Sequence, residues 1–154
     1  MKIISNSSPL ILLTKIKRIK LLKQMFLQVY IPEEVYNEVY KVKNLCCPEW
    51  IEIMKVKDST AIDALEAIID RGESESIILA KEMGIKIILM DDKKGINLAK
   101  RMELEPIRTT SLIGIAYQKG LISNLKAELN NLQQNGCWIT DYYIEEILFK
   151  FKKS

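Results

Sequence analysis

The chain contains no histidine among its 154 residues. This absence excludes zinc sites with imidazole ligands, serine–histidine–aspartate triads and cysteine–histidine nucleophile pairs. Any acid–base chemistry in this protein therefore has to depend on carboxylates.

Cysteine and long apolar runs are also scarce. The three cysteines, Cys46, Cys47 and Cys137, are odd in number and include an adjacent pair, so we expect neither a disulfide framework nor a CxxC metal site, and a reducing cytoplasm is favoured. Uninterrupted apolar runs such as 10–13 and 87–90 are only four residues long, whereas about 20 cross a bilayer. Polar residues and a proline at 5–9 interrupt the N-terminal segment, so we expect neither a membrane span nor secretion.

The overall charge is small, because 23 Lys and Arg face 20 Asp and Glu, for a net charge of +3. No global excess indicates a nucleic-acid or membrane partner. Residues 1–31, however, hold six basic residues and no acid. This segment predicts an RNA-binding surface that follows the phosphate backbone, and a solvated helix face explains it equally well. Its candidate contacts are Lys15, Lys17, Arg18, Lys20 and Lys23.

Short apolar segments alternate with helical patterns along the whole chain. Strands are predicted at 1–4, 28–31, 50–56, 85–90 and 106–108. Helices are predicted at 9–26 (two short or one bent), 33–42, 60–70, 73–82, 94–102, 110–119, 123–134 and 140–152. This alternation predicts an α/β fold with a mostly parallel sheet covered on both faces, in one domain spanning 1–154.

Capping residues predict where several helices begin and end. Ser8 is expected as the N-cap of the first helix, with Pro9 in its first position. Gly72 and Gly84 are expected just beyond the ends of two helices, where glycine adopts the left-handed conformation readily.

Ligands of open parallel sheets bind beyond the carboxyl ends of the strands. That rule selects Asn6 after the first strand, Asp91 and Asp92 after the fourth, and residues 109–111 after the fifth. Adjacent carboxylates such as Asp91 and Asp92 repel each other and attract a divalent cation, and hard oxygen ligands favour Mg²⁺ or Mn²⁺ over zinc. The alternative is that the pair caps the following helix, with its charge neutralised by nearby lysines.

Two helical glutamates also have alternative interpretations. Glu38 falls beside the apolar stripe of its helix, and it is either a half-buried site residue or a solvated partner of Lys41. Glu75 precedes a fully apolar run and is therefore held close to the core. Glu73 lies roughly 200° away around the same helix, so the two cannot face one site, and one of them is only a first-turn charge.

Four short motifs occur in order along the chain: SNSSPL at 5–10, IPEEVYNEV at 31–39, GESESI at 72–77 and MDDKK at 90–94. Together they resemble the PIN-domain family, in particular a small prokaryotic branch of predicted nucleic-acid-binding proteins related to VapC-type toxins. The segment GCWITD at 136–141 is also similar to that branch. The resemblance covers the chain from the first strand to the last helix.

The resemblance implies a three-layer α/β/α sandwich and a Mg²⁺- or Mn²⁺-dependent ribonuclease. The catalytic and metal-binding positions that it implies are Asn6, Glu38, Glu75 and Asp92, with Asp91 as a neighbouring ligand and Thr110 or Ser111 as a hydroxyl contributor. In such a site a metal ion lowers the pKa of a water molecule and screens the charge of the phosphoryl transition state. This mechanism agrees with a sequence that has no histidine.

Asn6 departs from the family pattern, in which an acid occupies this position. An amide oxygen still binds a cation but carries no charge, which weakens metal binding. The alternative function is therefore a weakly active or inactive PIN-like module that binds RNA or a partner protein. By analogy with the family, a small antitoxin and a second copy of the chain are further candidate partners.

Two other α/β classes fit the sequence poorly. A phosphoacceptor receiver domain needs an acidic pair near its first strand, where this chain has Ser5 and Asn6. A dinucleotide-binding domain needs a GxGxxG loop after that strand, and none is present.

Overall fold

The computed structural model describes residues 1–153. Five strands form one sheet in which every neighbouring pair is parallel. The strands are β1 (Lys2–Ser5), β2 (Gln28–Pro32), β3 (Ile51–Met54), β4 (Ile87–Leu89) and β5 (Glu105–Ile107). Each overlaps a predicted strand, although β4 is three residues long where the apolar pattern predicted six.

The sheet has the order β3-β2-β1-β4-β5, so β1 lies at its centre. Ile4 of β1 aligns with Tyr30 on one side and with Ile88 on the other. Strands β2 and β3 continue to one edge, and β4 and β5 continue to the opposite edge. The direction of winding therefore reverses between β1 and β4, and a crevice opens at the carboxyl ends of such a strand pair.

The described residues form nine α-helices. They are α1 (Ser7–Lys15), α2 (Lys20–Met25), α3 (Glu33–Tyr36), α4 (Ser59–Glu66), α5 (Arg71–Met83), α6 (Lys93–Arg101), α7 (Thr109–Gln118), α8 (Leu125–Gln134) and α9 (Asp141–Lys150). A π-helical turn, Asn37–Lys41, continues α3. None of these helices has both the length and the apolar character that a membrane crossing requires.

Two hydrophobic cores cover the two faces of the sheet, because successive strand side chains point to opposite faces. Ile3 and Leu89 belong to the core with α1, α2, α7, α8 and α9. Ile4 and Ile88 belong to the core with α4, α5 and α6. All four side chains are fully buried. This arrangement confirms the predicted three-layer α/β/α sandwich with a parallel sheet.

The prediction of Ser8 as the first N-cap was wrong. Helix α1 begins at Ser7, and Asn6 is its N-cap residue, although the Asn6 side chain makes no capping hydrogen bond. Pro9 therefore occupies the third helical position rather than the first. Proline is tolerated there because the first four N–H groups of a helix have no partner within the helix.

The prediction that Gly72 follows a helix end was also wrong, whereas Gly84 does end α5 with a φ of 65°. Gly72 lies in the first turn of α5, which begins after Asp70. The Asp70 carboxylate caps this helix by accepting a hydrogen bond from the Glu73 N–H at 2.8 Å. A side chain at Gly72 would bring its Cβ to 2.8 Å from Oε1 of Glu38. Gly72 thus permits a close approach between α5 and the π-helical turn that carries Glu38.

Candidate functional site

The candidate site lies at the carboxyl ends of β1 and β4, beside the crevice between them. Asn6 directly follows β1, and its backbone N–H donates to the carbonyl oxygen of Leu89 in β4 at 2.9 Å. Asp91 and Asp92 follow β4 and lead into α6. Asn6 is only 5% exposed.

Glu38 is bound to the start of α1. The Ser7 hydroxyl donates to Oε2 of Glu38 at 2.6 Å, so the hydrogen bond of this carboxylate goes to Ser7 rather than to Lys41. Burial raises the pKa of Glu38; the Ser7 hydrogen bond opposes that shift, and the carboxylate of Asp70 adds to it. Glu38 lies in the π-helical turn, a backbone form that is frequent at functional sites.

Glu73 is a strongly perturbed acid of this region. It is buried, and its Oε2 receives no hydrogen bond from any described residue. Its Oε2 lies against Gly95, whose backbone N–H donates to the carboxylate of Asp92. Burial first, and then the neighbouring acids Asp70 and Asp92, raise the pKa of Glu73 to about 8. A buried, unpaired oxygen among carboxylates is stabilised either by a proton or by a cation.

Gly95 provides the space that Glu73 occupies. A Cβ at this position would overlap both Oε2 of Glu73 and Sδ of Met90. The first turn of α6 can therefore pack directly against the buried carboxyl group.

Asp92 is the N-cap of α6, as the alternative interpretation of its position predicted, and accepts a hydrogen bond from the Gly95 N–H at 3.2 Å. A role in metal binding stays a prediction. Asp92 is exposed, and it thus presents a carboxylate to solvent.

Asp91 is held differently from Asp92. Its two oxygens accept from the Thr109 N–H at 2.8 Å and from the Thr109 hydroxyl at 2.6 Å. Burial raises the pKa of Asp91, while the Thr109 hydrogen bonds and the positive charge of Arg108 oppose that shift. Asp91 therefore ties the end of β4 to the start of α7.

Glu75 has other partners than Glu73. Its carboxylate accepts from Nε of Arg71 at 3.0 Å and from the Glu34 N–H at 3.2 Å. The charge of Glu75 also contributes to the raised pKa of Glu38, so the expectation that Glu73 and Glu75 cannot face one site stays a prediction. The structure brings Glu73, rather than the predicted Glu75, to Asp92. A sequence signal for this exists, because Arg71 and Glu75 have the i, i+4 spacing of a helical ion pair.

The predicted hydroxyl contributors differ in position. The Thr110 hydroxyl is 3.1 Å from the hydroxyl of Tyr143, and Thr110 lines the cleft beside the acids. Ser111 is half-buried and does not line that cleft. The predicted hydroxyl contributors, Thr110 and Ser111, did not include Thr109, whose hydroxyl is the one that hydrogen-bonds Asp91.

A cleft of about 440 Å³ opens in front of Asp91 and Asp92. The far side of this cleft is formed by residues of the loop between α8 and α9, including Trp138, and by Tyr143 of α9. Basic residues on its wall are Lys93 and Arg108. The cleft therefore combines acids at its base with cations and aromatic groups on its walls.

The basic residues of the N-terminal segment do not form one uniform surface. Lys15, Lys17, Lys20 and Lys23 are exposed, as an RNA-contacting set requires. Arg18 instead pairs with Glu128, with 3.1 Å between its Nε and Oε1 of the acid. Lys15 reaches the loop after α8, because its Nζ lies 3.9 Å from the Cβ that a side chain at Gly136 would have.

These features define a class of protein: a parallel α/β/α domain with a carboxylate cluster at its topological switch point. A family model described as "PIN domain" matches residues 2–153. The chain belongs to the PIN-domain family, which confirms the resemblance of its four motifs. Searches of the curated proteins and of the solved structures found no match.

PIN domains generally use divalent metal ions, and the donor set of this chain suits a hard cation chemically. Carboxylates and an amide oxygen are the ligands that Mg²⁺ and Mn²⁺ prefer. The Oε2 atom of Glu73 is a buried acceptor without a hydrogen bond. Within residues 1–153, however, no three acids or cysteines are already close enough together to hold a metal ion.

Proposed function

We propose that this protein is a metal-dependent ribonuclease that hydrolyses phosphodiester bonds of RNA. The observation that carries the proposal is that Gly95 lies against both Oε2 of Glu73, which is buried and has no hydrogen bond, and the carboxylate of Asp92. Two neighbouring carboxylates are stabilised by a proton or a cation. Membership of the PIN-domain family supports the same function.

Glu73 and Asp92 are the principal metal-binding residues of the proposal, with Glu38 and Asn6 completing the set. A bound Mg²⁺ or Mn²⁺ ion supplies a water molecule of lowered pKa and offsets negative charge on the phosphoryl group. Asp91 is assigned a positioning role, since Thr109 occupies both of its oxygens. The predicted metal ligand Glu75 is replaced by Glu73 in this proposal.

Hydrogen bonds orient the acids before substrate binds. Ser7 in the first turn of α1 holds Glu38, and Gly95 in the first turn of α6 holds Asp92. The N-terminal ends of both helices also favour negative charge nearby. Groups fixed in this way lose less entropy when they bind a cation and a phosphate.

The experiment that tests this function is cleavage of RNA by the purified protein with Mn²⁺. We expect cleavage by the native chain and none by Asp92→Asn purified in parallel, which also controls for contaminating nuclease. An Asn6→Asp variant adds one carboxylate and is expected to cleave at lower Mn²⁺ concentration. Absence of cleavage by both the native protein and Asn6→Asp would contradict the proposal.

The second candidate function is a weakly active or inactive module that binds RNA or a protein. The uncharged Asn6 favours it, because each lost carboxylate lowers cation affinity. RNA binding by the native protein without cleavage under any divalent cation, and without rescue by Asn6→Asp, is the result that this alternative predicts.

The finer predictions concern the cellular role. A toxin-like function in the cytoplasm, with a small antitoxin and a homodimer, remains a prediction from the family analogy. Growth arrest on expression, relieved by the product of a neighbouring reading frame, is the expected result. Expression without any effect on growth would contradict the toxin role and leave the ribonuclease proposal standing.

A further inference from the structure

Trp138 is fully exposed, although it lies in a loop whose neighbours are fixed. The Cys137 N–H donates to the carbonyl of Leu132 at 3.0 Å. The carbonyl of Ile139 accepts from the Gln133 side chain at 2.8 Å. The loop is therefore anchored on both sides of an indole that makes no buried contact. The indole is thus open to a ligand, with an apolar face and a polar N–H available for contact.

The indole lies at the wall of the cleft that contains the acids. Trp138 lines the same space as Asp91, Asp92 and Thr110. It also borders a second hollow of about 430 Å³, together with Gln133 and Gln134. A flat group that enters at Trp138 thus has an open path to the acids.

The charges around Trp138 favour a polyanion over an apolar protein segment. Lys93 and Arg108 line the same cleft, and Lys15 lies beside Gly136, two residues before Trp138. Three cations near an aromatic face form the usual combination for single-stranded nucleic acid, in which bases stack and phosphates pair with cations. An amphipathic partner helix would instead need a continuous apolar groove, and here charged groups interrupt the aromatic wall.

We propose that Trp138 is a stacking platform for one unpaired base of RNA, with Arg108 and Lys93 contacting the adjacent phosphates. This inference rests on the proposed function, which supplies RNA as the substrate, and adds that the RNA is single-stranded where it binds. Bases in a duplex are already stacked on each other and cannot cover the indole. A base held on Trp138 places the neighbouring phosphodiester in the cleft before Asp92. Stacking also tolerates sequence variation, since every base has a π-face.

Binding without catalysis tests the subsite separately from cleavage. A Trp50→Phe variant leaves Trp138 as the only tryptophan, since the chain has two. In EDTA, this variant is titrated with a single-stranded oligouridylate of about eight nucleotides and, separately, with an RNA duplex of equal charge. The fluorescence of Trp138 is recorded in both titrations. We expect strong quenching by the single strand and little by the duplex. Equal quenching by the two would overturn the single-strand assignment.

Substitutions measure the contribution of the indole. Trp138→Ala is expected to weaken single-strand binding roughly 5- to 150-fold, which corresponds to about 1–3 kcal/mol per stacked base. Trp138→Phe should recover most of that loss because it keeps an aromatic face. The matched control is Phe149→Ala, which removes an aromatic residue that is 71% exposed and does not line the cleft; its affinity should equal that of the native chain.

The outcomes separate this inference from the nuclease proposal. Identical RNA affinity of Trp138→Ala and the native protein overturns the platform, whether or not RNA is cleaved. Binding that depends on Trp138, in a protein that never cleaves RNA, supports the platform and contradicts only the nuclease function. Circular dichroism of Trp138→Ala should match the native spectrum, because the fully exposed side chain adds nothing to the core.

Discussion

Glu73 of α5 and Asp92, the N-cap residue of α6, both lie against Gly95 in the first turn of α6. The first turn of α5 and the N-cap of α6 thus approach each other at the end of β4. Gly95 makes this approach possible, because any side chain there would occupy the space of the Glu73 carboxyl. The consequences for stability and metal binding are testable without knowledge of the RNA target.

Stability in the absence of metal should depend on pH through Glu73. Its pKa is raised from the model-compound value of 4.5 to about 8, so between these values the folded chain binds more protons than the unfolded chain. The free energy of unfolding therefore falls as pH rises through this window and levels off above it. Urea unfolding in EDTA at pH 5 and at pH 8.5 measures the difference.

Glu73→Gln is the matched variant for this pH experiment. Glutamine keeps the size of the side chain but cannot ionise, so the fall in stability between the two pH values should be much smaller. A native protein and a Glu73→Gln variant with the same pH dependence would show that Glu73 is not the titrating group.

Mn²⁺ should reverse the destabilisation at pH 8. A cation that binds only the folded chain at 100 times its dissociation constant adds about 2.7 kcal/mol. Thermal melts of the native protein with and without Mn²⁺ measure this gain. Asp92→Asn should lose most of it, whereas Asp63→Asn, an exposed acid on α4, should retain it. A gain of equal size in Asp92→Asn would argue against the proposed ligand set.

Gly95→Ala tests the close packing around Glu73. The added Cβ overlaps Oε2 of Glu73 and Sδ of Met90, and overpacking of this kind costs typically about 1–3 kcal/mol. The displaced carboxyl should also bind Mn²⁺ more weakly. Asn97→Ala changes an exposed residue on the same helix and should leave both stability and the Mn²⁺ response unchanged. A Gly95→Ala protein as stable as the native one would contradict the geometry.

Arg18 and Lys17 are expected to act differently, although both belong to the basic N-terminal segment. Arg18→Ala leaves Glu128 without its cation, and Oε2 of Glu128 is already buried without a hydrogen bond. We expect a loss of about 1–3 kcal/mol in unfolding free energy. Lys17→Ala removes an exposed charge and should leave the stability unchanged while it weakens RNA binding at low salt. Equal unfolding curves for the two variants would contradict this separation.

Most of the fold could be predicted because the strands are short and apolar on both faces. The alternation of Ile3 with Ile4, and of Ile88 with Leu89, supplies side chains to two cores at once, which is the signature of a sheet covered by helices. The family resemblance added the order of the layers. Strand ends were less predictable: β4 comprises only Ile87–Leu89, although the Met90 N–H still donates to the carbonyl of Ile107 at 2.9 Å, and the exact end residues of an element are its least certain feature.

Helix starts limited the prediction of the candidate site. Asn6, Ser7 and Ser8 are all good capping residues, so the sequence does not select among them. At α5 the cap is Asp70, so Glu73 already lies in the first helical turn, and Glu73 rather than Glu75 lies at Gly95 beside Asp92. The exposure of Trp138 depends on how the loop after α8 is anchored, and no local pattern encodes that contact.

Cleavage of RNA by Glu73→Gln and Glu75→Gln, compared in Mn²⁺ with the native protein, tests the central claim most directly. The two substitutions are chemically identical and lie two residues apart on one helix. The account predicts that Glu73→Gln loses cleavage, whereas Glu75→Gln, which removes only an acid paired with Arg71, retains it. An inactive Glu75→Gln beside an active Glu73→Gln would contradict the account.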